Sequence, residues 1–217
     1  MPPNVRDPQL DCPQCPRLVA FRHQARDAHP DWYNAPVPTF GEIGDARLLV
    51  VGLAPGLGGA NRTGRPFTGD YAGTLLYETL ADHGFANHAF DARIDDGLVL
   101  HGAAVTNAVR CVPPQNKPTG VEIRTCSAFL AETMAAMQSL EVVLALGRIA
   151  HDAVLRTLGA RLSAYPFGHG RVHQIPGAPI VTDSYHPSRY NVNTGVLDKP
   201  MFDAVVGAIR SRLDAAG

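Results

Sequence analysis

Long apolar runs are absent from this sequence. No stretch reaches the roughly 18 apolar residues that a membrane-spanning helix needs. The polar, proline-containing start, residues 1–10, lacks the charged-then-apolar pattern of an export signal. A cytoplasmic protein with no membrane partner is expected. Charge of one sign is also missing: the 217 residues carry a formal net charge of −1, which argues against a non-specific nucleic-acid coat and leaves room only for a local basic groove. Cysteine is scarce, with four in all. In a reducing compartment so small a set reads as metal or cluster ligands before disulfides. Internal repeats and long linkers are lacking too, which predicts a single domain over residues 1–217. Nothing demands a dimer, and a monomer is expected.

What is present is a regular alternation of strands and helices. The 45% of hydrophobic residues is enough to bury a core without help from a metal. Residues 11–29 carry Leu18, Phe21, Arg22 and Ala25 at helical spacing, in a helix that begins at Cys15 or Pro16. Short apolar runs at 47–52, 103–109, 141–146 and 179–184 read as buried parallel strands. Helices are expected at about 71–83, 121–138, 148–158 and 200–214. Residues 86–98 read as a polar surface excursion, and 159–178 as a loop with room for one hairpin. The pattern predicts an α/β fold with a parallel sheet between two layers of helices. Ligands of such sheets bind beyond the carboxyl ends of the strands. Three strands end in polar, Gly- or Pro-rich segments, 53–70, 110–119 and 185–193, so these loops should line one cleft.

The cysteines are spaced Cys12-x2-Cys15, then Cys111-x14-Cys126. The close first pair makes four unrelated core thiols a poor account. Four such ligands suit a structural zinc or a [4Fe–4S] cluster. Zinc sites usually pair two short knuckles, and the wide second spacing tilts toward the cluster. Either would tie the N-terminal segment, residues 1–30, to the loop that follows the second strand.

The first loop is rich in glycine, yet it lacks the Gly-Lys-Ser/Thr ending of a P-loop, and its glycines do not run straight into a helix as a dinucleotide fingerprint requires. Gly52-Leu53-Ala54-Pro55-Gly56, followed by Asn61-Arg62-Thr63-Gly64-Arg65-Pro66-Phe67-Thr68-Gly69-Asp70, resembles the first motif of family 5 (type b) uracil-DNA glycosylases. Thr106-Asn107-Ala108-Val109-Arg110-Cys111 with Pro113 to Pro118 resembles the second, and Ser184-Tyr185-His186-Pro187-Ser188-Arg189 the third. The four cysteines stand where that family holds a [4Fe–4S] cluster. The resemblance runs from about Cys12 to Asn193. It implies a three-layer αβα sandwich around a four-stranded parallel sheet. It also implies removal of uracil, and often of hypoxanthine and other damaged bases such as xanthine and etheno-cytosine, from double-stranded DNA as the first step of base excision repair.

That chemistry assigns expectations to residues. A flipped base needs a stacking face, and Phe67 in the Gly/Pro-rich loop is the candidate. Asn107, at a strand end, can both donate to and accept from a base edge. Ala54, Gly56 and Asn61 of the first motif complete the expected base-binding set. His186 is expected to donate a hydrogen bond to the carbonyl oxygen where the leaving base gathers charge. Asp70 is expected to hold the attacking water or balance the sugar cation, although aspartate is also a favoured N-cap for a helix starting at Tyr71. Asn116 is expected to help place the water. Arg62, Arg65, Arg110 and Lys117 gather positive charge in these loops, and Ser188 and Arg189 are expected to grip a phosphate. Ala54 departs from related families, which place an acidic or amide residue there; the smaller side chain leaves room for purines and predicts broad base specificity. No lysine is well placed as an amine nucleophile, so base removal without strand cleavage is expected. Two other readings compete: a module that grips damaged DNA without acting on it, and a cluster-based redox protein. The second leaves Phe67, Asn107, His186 and Arg189 without a role.

Overall fold

The computed structural model describes residues 7–215; the start of the polar N-terminal stretch, residues 1–6, lies outside them. The elements run α1 (Pro16–Ala28), β1 (Leu48–Gly52), α2 (Ala60–Thr63), α3 (Tyr71–Asp82), β2 (Ala103–Asn107), α4 (Gly120–Ala136), β3 (Val142–Leu146), α5 (Arg148–Thr157), β4 (Val172–His173), β5 (Ile180–Ser184), α6 (Arg189–Asn193) and α7 (Lys199–Ala215). The sheet order is β2-β1-β3-β5-β4. Strands β2, β1, β3 and β5 are parallel, and β4 adds a two-residue antiparallel edge to β5. The expected four-stranded parallel sheet therefore carries a fifth strand, supplied by the 159–178 segment. Two residues are too few for an alternating pattern to announce a strand.

Strand side chains alternate between the two faces, and this divides the core. Leu48, Val50, Val105, Val142 and Leu144 face Leu76, Leu80, Phe202, Val206 and Ile209 from α3 and α7. Leu49, Val51, Ala104, Val143 and Val181 face Leu18, Leu130, Ala150 and Val154 from α1, α4 and α5. The result is the three-layer αβα sandwich. No described helix is long and apolar enough to cross a membrane.

Capping fixes the helix that carries Cys126. Thr119 accepts from the Glu122 amide (3.3 Å), and Glu122 Oε2 accepts from the Thr119 amide (2.7 Å), closing a capping box on α4. Glu122 also receives Arg17 from α1 in a two-armed ion pair at 2.8 and 2.7 Å. The N-terminal helix is thereby docked on α4 beside the cysteines.

A second polar node lies under the end of β5. The buried Asp183 carboxylate accepts from His151 Nδ1 (2.7 Å), His173 Nε2 (2.8 Å) and the Gly168 amide (3.1 Å). His151 Nε2 faces the Tyr165 carbonyl at 2.8 Å. A carbonyl oxygen can only accept, so Nε2 carries a proton there. Burial alone would hold this imidazole down, but its bonds to Asp183 and Tyr165 outweigh that and raise its pKa above the usual value. The node ties α5, β4 and the 158–171 loop to the strand that leads into Tyr185 and His186.

Candidate active site

The strand order places the chain's reversal of direction between β1 and β3, and a pocket opens beyond the carboxyl end of β1, where such sheets bind ligands. It has a volume of about 530 Å³ and is lined by residues of all three loops, among them Ala54, Phe67, Asp70, Asn107, Asn116 and His186. Its floor depends on Gly52. That residue pairs with Asn107 across β1 and β2. A Cβ on Gly52 would stand 2.5 Å from Asn107 Oδ1 and closer still to the Phe67 ring. The bare backbone lets the aromatic ring and the amide meet at one point. Phe67 lies 5.8 Å, centroid to centroid, from the His186 ring. It is held at a φ of 54°, a conformation that is a genuine outlier for a bulky residue and costs on the order of 1–3 kcal/mol.

Asp70 occupies the N-cap position of α3, yet its side chain makes no cap bond there. The carboxylate turns instead toward α2. Carbon atoms added at Gly56 or Gly59 would collide with it, the first at 2.6 Å from Oδ2. Desolvation raises its pKa above the ordinary carboxylate value, opposed by the Ala60 amide and the Arg62 charge. His186 follows β5. Burial pushes its pKa down to about 4, and none of the described residues bonds to either ring nitrogen. Its backbone is fixed: the His186 carbonyl accepts from the Ser188 amide (2.8 Å) and from Asn191 Nδ2 (2.9 Å). The site thus sets a neutral imidazole and a carboxylate around one cavity, both free of salt-bridge partners among the described residues.

Asn116 reaches the pocket from a turn in which both Gln115 and Asn116 have φ of 55°. Ser188 and Arg189 also line it. The Ser188 hydroxyl accepts from the Asn191 amide at 3.3 Å and caps α6, so the oxygen expected at a phosphate has a structural task as well. The Arg189 guanidinium stands 5.5 Å over Tyr71, a wall residue that sequence reasoning missed although it directly follows Asp70. Tyr190, the residue after Arg189, is 73% exposed. Arg62, on α2, and Lys117, on the loop after β2, are exposed.

Three expected contacts fall elsewhere. Arg65 is 3% exposed and is bonded to Asp96 at 2.8 and 2.6 Å, so it does not reach a phosphate. Arg110 is 1% exposed and is bonded to Asp7 and Thr133. Asn61 is buried and donates from Nδ2 to Asn34 Oδ1 at 2.9 Å, which makes it a brace for the loop rather than a base contact. In each case the partner lies far away in the sequence, where a local motif gives no sign of it.

The four cysteines line one small pocket together with Leu18, Val109 and Phe129. Arg22 Nη1 points at Cys111 Sγ (3.6 Å), and the Arg110 amide donates to Cys126 Sγ (3.3 Å). Burial, with mutual repulsion, pushes Cys111 up to about 12 and Cys15 up to about 11.

A model of the uracil DNA glycosylase superfamily matches residues 38–210. The chain belongs to that superfamily. Within it, the chain stands with the type-5 enzymes. The type-5 uracil-DNA glycosylase of Thermus thermophilus is 45% identical over 197 residues, 88% of this chain and 89% of the relative. That of Pyrobaculum aerophilum is 42% identical over 192 residues, covering 87% and 83%. A type-4 uracil-DNA glycosylase from the same organism is 30% identical over 194 residues, covering 88% and 81%. The match spans the pocket and all three loops.

A low imidazole pKa has a direct consequence. A depressed value means that the neutral ring persists as pH falls and gains its proton only near 4. Titration of the His186 ring protons by NMR should give a midpoint of about 4 in place of the ordinary 6.5. A midpoint near 6.5 would show that the ring is solvated and that the pocket is not dry.

Proposed function

We propose that the protein hydrolyses the bond between deoxyribose and uracil in DNA, and that it accepts other deaminated or damaged bases, hypoxanthine, xanthine and etheno-cytosine among them, in double strands. The observation that carries this reading is the pocket itself: a stacking ring, a base-edge amide, a neutral imidazole and a carboxylate converge on about 530 Å³.

Breaking the glycosidic bond leaves positive charge on the sugar and negative charge on the departing base. The flipped nucleotide stacks on Phe67, and Asn107 pairs with its edge. The neutral His186 donates a hydrogen bond to the carbonyl oxygen that gathers charge. A neutral donor suits a group that must bind a ground-state carbonyl and strengthen its hold as the anion forms. The Asp70 carboxylate faces the sugar side, where it balances the cation and orients water with help from Asn116. Arg62, Lys117, Ser188 and Arg189 hold the strand by its phosphates. Tyr190 presents an aromatic face beside Arg189 that can stack on bases next to the flipped position. Ala54 leaves the end of β1 open, which supports acceptance of the larger purines. None of the described residues that line the pocket is a lysine, which supports base release without strand cleavage.

We further propose that Cys12, Cys15, Cys111 and Cys126 hold a [4Fe–4S] cluster. A tetrahedral zinc with bonds of about 2.3 Å draws thiolate sulfurs to about 3.8 Å from one another. No three of these sulfurs lie within 4.8 Å of one another, a spread that suits the larger group. Two buried arginines stand against the cysteines, with Arg22 Nη1 toward Cys111 Sγ and the Arg110 amide donating to Cys126 Sγ, an arrangement that suits sulfur ligands carrying negative charge. The cluster would supply a staple between α1, α4 and the loop that carries Asn116, and it takes no part in bond breaking. Purified protein should contain four irons and four acid-labile sulfides per chain; zinc in their place would overturn this.

The decisive assay is base release from a duplex with one U opposite G, and in parallel with hypoxanthine. Wild type should leave alkali-labile sites and no spontaneous breaks. His186→Ala should lose about 10²–10³ in rate, the usual cost of one donor to a developing oxyanion. Ala54→Asp should suppress hypoxanthine release more than uracil release. Retained binding with no release of any base would favour the damage-binding module instead.

A further inference from the structure

The strained conformation of Phe67 needs something to hold it, and its surroundings show what does. Residues 65–68 form a tight turn, closed by the Thr68 amide donating to the Arg65 carbonyl at 3.2 Å. Pro66 occupies the first inner position. Phe67 occupies the second, where a positive φ ordinarily calls for glycine. Three polar groups around the turn are engaged. The Arg65 Nε donates to Thr68 Oγ1 (2.7 Å), the Tyr77 hydroxyl to the Pro66 carbonyl (2.7 Å), and the Thr63 hydroxyl to the Thr68 carbonyl (3.0 Å).

The rest of the Arg65 side chain is anchored on the far side of the turn. Its Nη1 and Nη2 take both oxygens of Asp96, and Nη2 also donates to the Arg93 carbonyl at 2.7 Å. The guanidinium is enclosed by Phe40, Tyr77 and Phe90, with ring centroids at 5.2, 5.9 and 5.8 Å. Asp96, with 0% side-chain exposure, accepts in addition from the amides of Asp91 and Leu98, each at 3.0 Å. The polar 86–98 segment is therefore no mere surface excursion; it delivers a carboxylate to the back of the Phe67 turn. Arg65 and Asp96 are absent from the pocket wall, so neither touches a base.

We propose that Arg65, clamped by Asp96, is a positioning residue for Phe67: through Thr68 it locks the turn that presents the ring as a rigid stacking platform for the flipped base. This rests on the proposed role of the pocket as a base site. An arginine is required because its planar fork serves Asp96 with two arms and Thr68 with a third donor, which a lysine cannot do.

The test is a double-mutant cycle. Arg65→Lys, Asp96→Asn and the milder Thr68→Val are each made in the parent and in a Phe67→Leu background. Two readouts are taken: single-turnover uracil release, and preference for a duplex carrying an uncleavable 2′-fluoro-deoxyuridine over plain duplex. Each substitution should cost ten-fold or more in the parent and less than two-fold once Phe67 is gone. The fall in thermal midpoint should be the same in both backgrounds. Thr68→Val keeps the ion pair, so it reports even where loss of that pair unfolds the chain. Equal losses in the two backgrounds, or none in the parent, would overturn the proposal and leave Arg65 a purely structural residue. Absence of uracil release by wild type would instead overturn the glycosylase reading, while the binding cycle would still decide whether Arg65 acts through Phe67.

Discussion

The site rests on one missing side chain. Gly52 ends β1, and the space its Cβ would fill is shared by the Phe67 ring and the Asn107 amide. The parallel register that sets Gly52 opposite Asn107 aligns the floor of the pocket. The turn at residues 65–68 brings the ring down onto it. Two further glycines act in the same way, because Gly56 and Gly59 leave room for the Asp70 carboxylate against the start of α2. The glycine-rich loop is thus a mould for three side chains.

The electrostatics follow from burial. Desolvation holds His186 neutral and shifts Asp70 upward against the opposing charge of Arg62. Partial desolvation of this kind strengthens each interaction with charge that develops inside the cavity. Three ion pairs among the described residues stand outside the pocket and serve as scaffolding: Arg65 with Asp96 behind Phe67, Arg110 with Asp7 behind the cysteines, and Arg17 with Glu122 between α1 and α4.

Much of this was legible in the chain. The four parallel strands and the five long helices follow from apolar runs and helical spacing, with ends displaced by only a few residues. The convergence of three loops followed from the rule that such sheets bind ligands at strand ends, and Phe67, Asp70, Asn107, Asn116 and His186 do line one cavity. The illegible parts have a common cause. Helices α2 and α6 and strand β4 span two to five residues, too short to show a period. Arg65, Arg110 and Asn61 sit among pocket residues in sequence but turn away to Asp96, Asp7 and Asn34, whose approach no local pattern encodes. The same gap hid Asp96 within an apparently solvated stretch and left the partner of His151 unseen until β5 and α5 were packed together.

The central claim is that the empty space at Gly52 makes the base site. Gly52→Ala tests it most directly, through single-turnover uracil release compared with thermal stability. The account predicts a loss of at least a hundred-fold in rate, because the added methyl displaces Phe67 and Asn107 together, with a folded protein that still binds undamaged duplex as wild type does. A Gly52→Ala enzyme that releases uracil within a few-fold of the wild-type rate would contradict it.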